Sequence, residues 1–228
     1  MNIDINNIRT KLIEHLKEGG WDKALKFFMN GSEFDKLIEF LRQDVEKGYR
    51  FTPPLKYVFN GFKSTKYNDT KVIILDQNPY PQINTADGIA FSCSITGKPE
   101  KTLQYIFKAL NGDQWEDFNP DLTRWCKQGV LPLNTAFTTQ IDKIGTHSKI
   151  WKPFTTQLLD HINHNVNPIF IIMGKKAEEW IPLIDNCKIF KVSHPTSAAY
   201  KDGIWDCKNV FTEVNKELQK RGKSQIIW

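Results

Sequence analysis

Four short apolar runs, Val72–Leu75, Val130–Leu133, Ile169–Met173 and Ile189–Val192, constrain this chain more than any other feature. Each is rich in Val and Ile, and none is polar at every second position, the pattern of strands covered on both faces of a parallel sheet. The intervals between them read as helices at Thr102–Leu110, Trp151–Asn163, Lys175–Ile181 and Trp205–Leu218. A further helix is bounded by Asn119-Pro120, as N-cap and first-turn proline, and by Gly129 as the residue just past its end.

Residues 1–50 carry apolar positions at helical spacing: Ile8, Leu12, Ile13 and Leu16, then Leu25, Phe27 and Phe28, then Phe34, Leu37, Ile38 and Leu41. Pro53-Pro54 ends that block. Strand and helix in alternation predict an α/β fold: a single domain over residues 1–228 with a central four-stranded, mostly parallel sheet flanked by helices and the N-terminal helices packed on it. A chain of 228 residues buries enough surface to fold without staples. Cys93, Cys126, Cys187 and Cys207 are scattered, with no close pair and no histidine at zinc-ligand spacing, so free thiols and no structural metal are expected. The first twenty residues lack the apolar core of a secretory signal, and no segment has the run of apolar residues a membrane span needs. The expectation is a soluble, intracellular monomer.

The formal charge of +5 is unevenly placed. Between Lys47 and Lys71 stand six basic residues, Lys47, Arg50, Lys56, Lys63, Lys66 and Lys71, against the single acid Asp69. Tyr49, Phe51, Tyr57, Phe59, Phe62 and Tyr67 interleave them, a pattern that serves a polyanion-binding surface or, equally, a solvated helix and loop whose aromatics face the core.

In open α/β sheets, ligands bind beyond the carboxyl ends of the strands. After Leu75 comes Asp76-Gln77-Asn78-Pro79-Tyr80, after Leu133 comes Asn134, and after Val192 comes Ser193-His194-Pro195. Amides, a histidine and a tyrosine are thus directed toward one sheet edge. Each alone has an ordinary explanation as a turn or surface residue; their convergence marks a candidate site.

At these residues the chain resembles the main family of uracil-DNA glycosylases. The stretch Val72–Tyr80 followed by Ala86-Asp87-Gly88-Ile89-Ala90-Phe91-Ser92 is similar to the family's first signature, with no gap between Tyr80 and Phe91. Pro53–Asn60 resembles the segment before the first strand, Gly129–Thr135 the uracil-reading strand, and Ser193–Ala198 the DNA-intercalating loop. The resemblance covers residues 50–228 and, more loosely, the N-terminal helices.

The resemblance implies uracil-containing DNA as partner and a base flipped into a pocket and read at its edge. Phe91 would stack on the uracil, Asn134 would pair with its O4 and N3–H, Tyr80 would stand where a thymine methyl has to go, and Gln77 would help close the pocket. His194 would donate to O2 as uracil leaves as an anion, and Asn78 occupies the place of the water-orienting group. Thr102, Thr196, Ser197, Ala198 and Tyr200 would meet the DNA, and no metal or organic cofactor is implied.

Four departures fall inside these motifs. The family's Gly-Gln-Asp-Pro-Tyr-His is here Asp76-Gln77-Asn78-Pro79-Tyr80-Pro81. Asn78 can hold a water, as an Asn does at the corresponding place in the related mismatch-specific glycosylases, but it brings no charge. Losing one preorganised electrostatic partner costs about 2.7–4 kcal/mol, roughly 10²–10³-fold in rate. Pro81 matches the poxvirus members. Asp76 replaces a glycine: residues 76 and 78 of an extended chain point to one side, so Asp76 either lends the charge Asn78 lacks or serves a turn. The leucine that ends the intercalating loop is Ala198, and a methyl group cannot hold a base stack apart; either flipping is weaker or Tyr200 is the plug. The loop between His147 and Trp151 is also shorter. The expectation is a uracil-DNA glycosylase of reduced turnover, with a non-enzymatic uracil-DNA binder and a scaffold or processivity subunit as rivals.

Overall fold

The computed structural model describes residues 5–228, so the helical expectation for residues 1–4 lies outside the described residues. Three helices come first, α1 (Ile5–Gly19), α2 (Asp22–Asn30) and α3 (Ser32–Glu46). Their apolar stripes bury Leu12, Leu16, Leu25, Phe28, Phe34, Leu37 and Leu41, as amphipathic spacing dictates. Phe27 departs from the stripe and is 87% exposed. Strand β1 (Phe51–Thr52), helix α4 (Asn60–Ser64) and strand β2 (Val72–Asp76) come after them. Next are α5 (Lys101–Asn111), α6 (Thr123–Cys126), β3 (Val130–Asn134) and β4 (Thr139–Gln140). The remaining elements are α7 (Ser148–Asn165), β5 (Ile169–Met173), α8 (Lys175–Glu178), β6 (Lys188–Val192) and α9 (Val210–Lys220).

The four apolar runs form one parallel sheet in the order β3-β2-β5-β6, while β1 and β4 pair antiparallel in a separate ribbon. Alternate side chains serve the two faces. Ile73, Leu75, Leu131, Leu133, Phe170 and Ile172 pack with α1–α4 and α7 on one side. Val72, Ile74, Val130, Ile169, Ile171 and Met173 pack with α5, α6 and α9 on the other. Burying each such side chain contributes about 1.5–3 kcal/mol, and it is this double burial that removed polar residues from the strands. Strand β6 corrects the expectation: it lies at the sheet edge, with Lys188 and Lys191 exposed and Ile189 and Phe190 half-buried. Lysines on an edge strand discourage pairing with another chain.

Helix boundaries also differ; the helix expected over Lys175–Ile181 ends at Glu178. Asn119 and Asp121 accept backbone N–H bonds from Asp121 (2.9 Å) and Thr123 (2.9 Å), so Asn119-Pro120 makes a side-chain turn ahead of a four-residue helix rather than its cap. Trp205 stands outside α9; its buried indole N–H donates to the Ser193 carbonyl at 3.0 Å and braces the loop after β6. All four cysteines are free thiols. Among the described residues no helix is long and apolar enough to cross a membrane.

Candidate active site

The parallel register carries the strand ends to one edge. Asp76 and Asn134 are paired partners at the last rung of β2 and β3. The two chains stay together beyond it, with Thr135 N–H donating to the Asp76 carbonyl (2.9 Å) and Ala136 N–H to that of Gln77 (2.9 Å). Over this edge opens a cleft of about 670 Å³ walled by Asp76, Gln77, Asn78, Tyr80, Phe91 and His194, with Thr102 and Thr196 at its side. Apart from Asn134, the expected base-reading and catalytic residues all converge there, together with two of the expected DNA contacts. Asn134 lines instead a separate cavity of about 10 Å³, and Pro79 belongs to the wall of both.

Neither amide is used up by the protein. The Oδ1 of Asn134 is shut from solvent without a hydrogen-bond partner, and so is the Oδ1 of Asn78, whose Nδ2 donates to the Pro79 carbonyl at 3.0 Å. Buried polar atoms almost always find partners in a folded protein, so each of these two acceptors is free to take a hydrogen bond from a water or a ligand.

The aromatic wall is built under strain. Phe91 has φ +66°, a left-handed backbone that a bulky residue rarely adopts. The loop is held there by the buried Asp87 carboxylate, which accepts from Ile89 N–H (3.0 Å), the Ser92 hydroxyl (2.6 Å), and Ser94 N–H (3.0 Å) and hydroxyl (2.6 Å). Gly88, at φ +86°, lets the turn approach the chain before it: a Cβ there would lie 1.6 Å from the Tyr57 carbonyl oxygen. The Tyr80 hydroxyl donates to the Phe91 carbonyl at 3.2 Å. Burial pushes that phenol's pKa well up, and the charges of Cys93 and Asp76 push the same way, so Tyr80 is a neutral wall.

His194 faces Phe91 with ring centres 6.3 Å apart. Its Nδ1 accepts the Thr196 N–H at 3.3 Å and lies 2.7 Å from the Thr196 hydroxyl. An Nδ1 that accepts leaves the proton of the neutral ring on Nε2, and Nε2 lies 3.4 Å from Oδ1 of Asp76. Gly174, at φ +89°, packs under this histidine: a Cβ there would come within 2.9 Å of His194 Cβ.

The intercalating loop differs from expectation. Ala198 is fully buried, so its side chain is withdrawn from any DNA, which corrects its assignment as a contact. Ser197 donates to the Ser193 hydroxyl at 3.0 Å, and Tyr200, 92% exposed, is the large side chain that projects from this segment. The basic segment is also partly spent. Lys63 pairs with Glu18 at 3.1 Å, the Lys66 ammonium donates to the Glu18 carbonyl, and Lys71 donates to the Ser224 hydroxyl at 2.8 Å. Lys66 and Lys71 precede β2 and so lie toward the amino end of the sheet, opposite the cleft. Phe59 and Phe62 are buried, Phe51, Tyr57 and Tyr67 are half-buried, and Tyr49 is exposed, so the aromatics of this segment only partly face the core.

The cations at the cleft are instead Lys101, Lys175 and Lys176, with Glu100 beside them and Lys176 paired to Glu179 at 2.9 Å. Sequence reasoning passed over them, although Met173-Gly174-Lys175-Lys176 is itself a strand end and the rule applied to the other three strands reaches it.

An open parallel sheet whose strand ends bring an aromatic face, a histidine and amides to one cleft defines an α/β protein with its candidate site at the carboxyl edge of the sheet. Residues 62–219 match the model of the uracil DNA glycosylase superfamily, and the chain belongs to that family. It is 35% identical over 214 residues to the uracil-DNA glycosylase of Fusobacterium nucleatum subsp. nucleatum, covering 91% of this chain and 94% of that one. With that of Pseudomonas aeruginosa (strain UCBPP-PA14) it shares 34% over 235 residues, 98% of this chain and 96% of the other. The crystal structure of mimivirus uracil-DNA glycosylase superposes with a TM-score of 0.83 at 24% identity, covering 99% of this chain and 89% of that one. A variant of mimivirus UNG in complex with UGI superposes with a TM-score of 0.81 at 25% identity, over 91% and 87% of the two chains.

Proposed function

We propose that this protein, acting as one domain and as an intracellular monomer, flips uracil out of DNA and hydrolyses its N-glycosidic bond. The observation that carries the reading is the Asn134 amide, buried at the end of β3 with its Oδ1 lacking a partner inside the protein. One amide can accept from N3–H and donate to O4 of uracil, whereas cytosine offers the opposite pattern. A site built for that pairing leaves its own polar groups unpaired when the wrong base enters, which is how it rejects. Phe91 stacks on the base and Tyr80 closes the space a thymine methyl needs. Gln77 shapes the same wall.

In the reaction the C1′–N1 bond breaks with its electron pair going to uracil, and the Nε2–H of His194 stabilises the charge on O2, an interaction that is stronger in the transition state than before it. Asn78 Oδ1 orients the attacking water. Being neutral, it leaves turnover below that of a site with a carboxylate at this position. Thr102, Thr196 and Ser197 hold the backbone, Lys101 and Lys175 meet phosphates, and Tyr200 fills the gap left by the flipped nucleotide. The neutral amide at position 78 also favours a second reading, a binder that recognises uracil without cleaving.

Incubation with a uracil-containing oligonucleotide, with binding and abasic-site formation followed together against a thymine control, separates the two. Abasic sites only with uracil are expected. Uracil-selective binding without cleavage makes the protein a binder, and equal binding of both DNAs removes the pocket assignment.

A further inference from the structure

The negative charge that is missing at position 78 stands two residues earlier. Asp76 ends β2 at 8% exposure, and its carboxylate lines the same cleft as Asn78, Tyr80, Phe91 and His194. A strand-end aspartate ordinarily accepts backbone N–H bonds from the turn after it. Here the turn is tied through the Asp76 carbonyl, which takes the Thr135 N–H, while the carboxylate faces His194 Nε2 at 3.4 Å. That distance is longer than a good N–H···O bond, so the histidine donor is not spent on it. Turn formation therefore does not account for Asp76.

We propose that Asp76 is a catalytic residue of this chain, supplying the charge that stabilises the cationic sugar and taking the proton of the water that Asn78 holds. The proposal rests on the glycosylase reading above. As C1′–N1 breaks, its electron pair leaves with uracil, whose O2 is held by His194. The water oxygen bonds to C1′ and its proton passes to the Asp76 carboxylate, which becomes neutral beside the departing anion. The proton then returns to solvent or to uracil, and no other reactant is required. Asp76 and Asn78 line the same cleft on either side of the bend at Gln77, so a carboxylate at 76 and an acceptor at 78 can divide between them the work of a single aspartate.

The test is relocation of the charge, read by single-turnover uracil release and by affinity for uracil-containing DNA. Asp76→Asn should slow release by roughly 10²–10³-fold, the loss expected of one preorganised electrostatic partner, with affinity within a few-fold of wild type. The double variant Asp76→Gly, Asn78→Asp should recover at least the wild-type rate, since the charge returns to the same wall. A carboxylate at position 78 speeds release whatever Asp76 does, so the deciding comparison is Asp76→Asn with the wild type, and the double variant shows that the charge serves from the same wall. Should Asp76→Asn fail to fold, Asp76→Gly is compared with the double variant instead. A wild-type rate in Asp76→Asn, or a double variant as slow as Asp76→Gly, overturns the proposal and leaves the glycosylase reading standing. Absence of release by the wild type overturns both.

Discussion

Asp76 and Asn134 are partners on the final rung of the β2–β3 ladder, so a carboxylate that lines the cleft and an amide with an unpartnered oxygen leave the sheet side by side. Their spacing is set by the hydrogen bonds of the sheet and not by any contact between the two side chains. A site mounted this way moves only if the sheet moves, which is the rigidity a base-reading pocket needs.

Asn134→Ala and Phe91→Ala should each remove the preference for uracil-containing over thymine-containing DNA. Loss of stacking alone costs about 1–3 kcal/mol per base, roughly 5- to 150-fold in binding. Competition binding with paired oligonucleotides measures this, and an unchanged preference in both variants would remove Asn134 and Phe91 from the pocket.

Neutralising Lys101 and Lys175 should flatten the log–log dependence of DNA affinity on salt by roughly 0.7–0.9 for each phosphate no longer engaged. Neutralising Lys66 and Lys71 should leave that slope alone, because both precede β2 and lie at the amino end of the sheet, opposite the cleft. The opposite ranking would move the DNA track to the basic segment.

Tyr200→Ala should slow uracil release from duplex DNA more than from single strands, because only in a duplex must a plug replace the extruded base. Tyr200→Leu, apolar and still large, should retain most of the duplex activity. Equal effects of Tyr200→Ala on the two substrates would return Tyr200 to the ordinary surface.

Stability should fall as pH drops below about 6.5, through a residue outside the cleft. His147 is fully buried, with Nε2 3.0 Å from Asp44 and Nδ1 2.8 Å from the Thr138 hydroxyl. Burial lowers its pKa below the ordinary 6.5, and the pull of Asp44 in the other direction does not prevail. His161 is lowered by burial too. The unfolded chain then takes up protons that the folded chain refuses, so the stabilisation is complete above about pH 6.5 and declines toward the depressed folded values. Each such proton contributes a slope of up to about 1.4 kcal/mol per pH unit. Denaturant unfolding at about pH 7.5 and about pH 5.5, on either side of the ordinary histidine value, measures it, and His147→Gln should reduce the difference. Equal wild-type stability at the two pH values would contradict the argument.

Local pattern determined the strands and the chemistry at their ends. Burial on both sheet faces leaves a continuous apolar run wherever it occurs, and a parallel sheet puts the residues after each run at one edge, so Asp76–Tyr80, Asn134 and His194 were legible as a group. The family motifs added Phe91 to that group, and the structure places it with Tyr80 on the cleft wall. Tertiary structure alone decided the rest, because each remaining feature depends on contacts between distant segments. The strand order β3-β2-β5-β6 made Lys188–Val192 an edge and so left Lys188 and Lys191 in solvent. Packing of the helix side of the sheet drew Ala198 inward and left Tyr200 out. The four bonds to Asp87 fixed Phe91 in a left-handed backbone that no propensity favours. Whether Asp76 caps its turn or faces His194 was open to the sequence, since either use needs only a carboxylate at a strand end; the meeting of β2 with the loop after β6 settled the direction it faces.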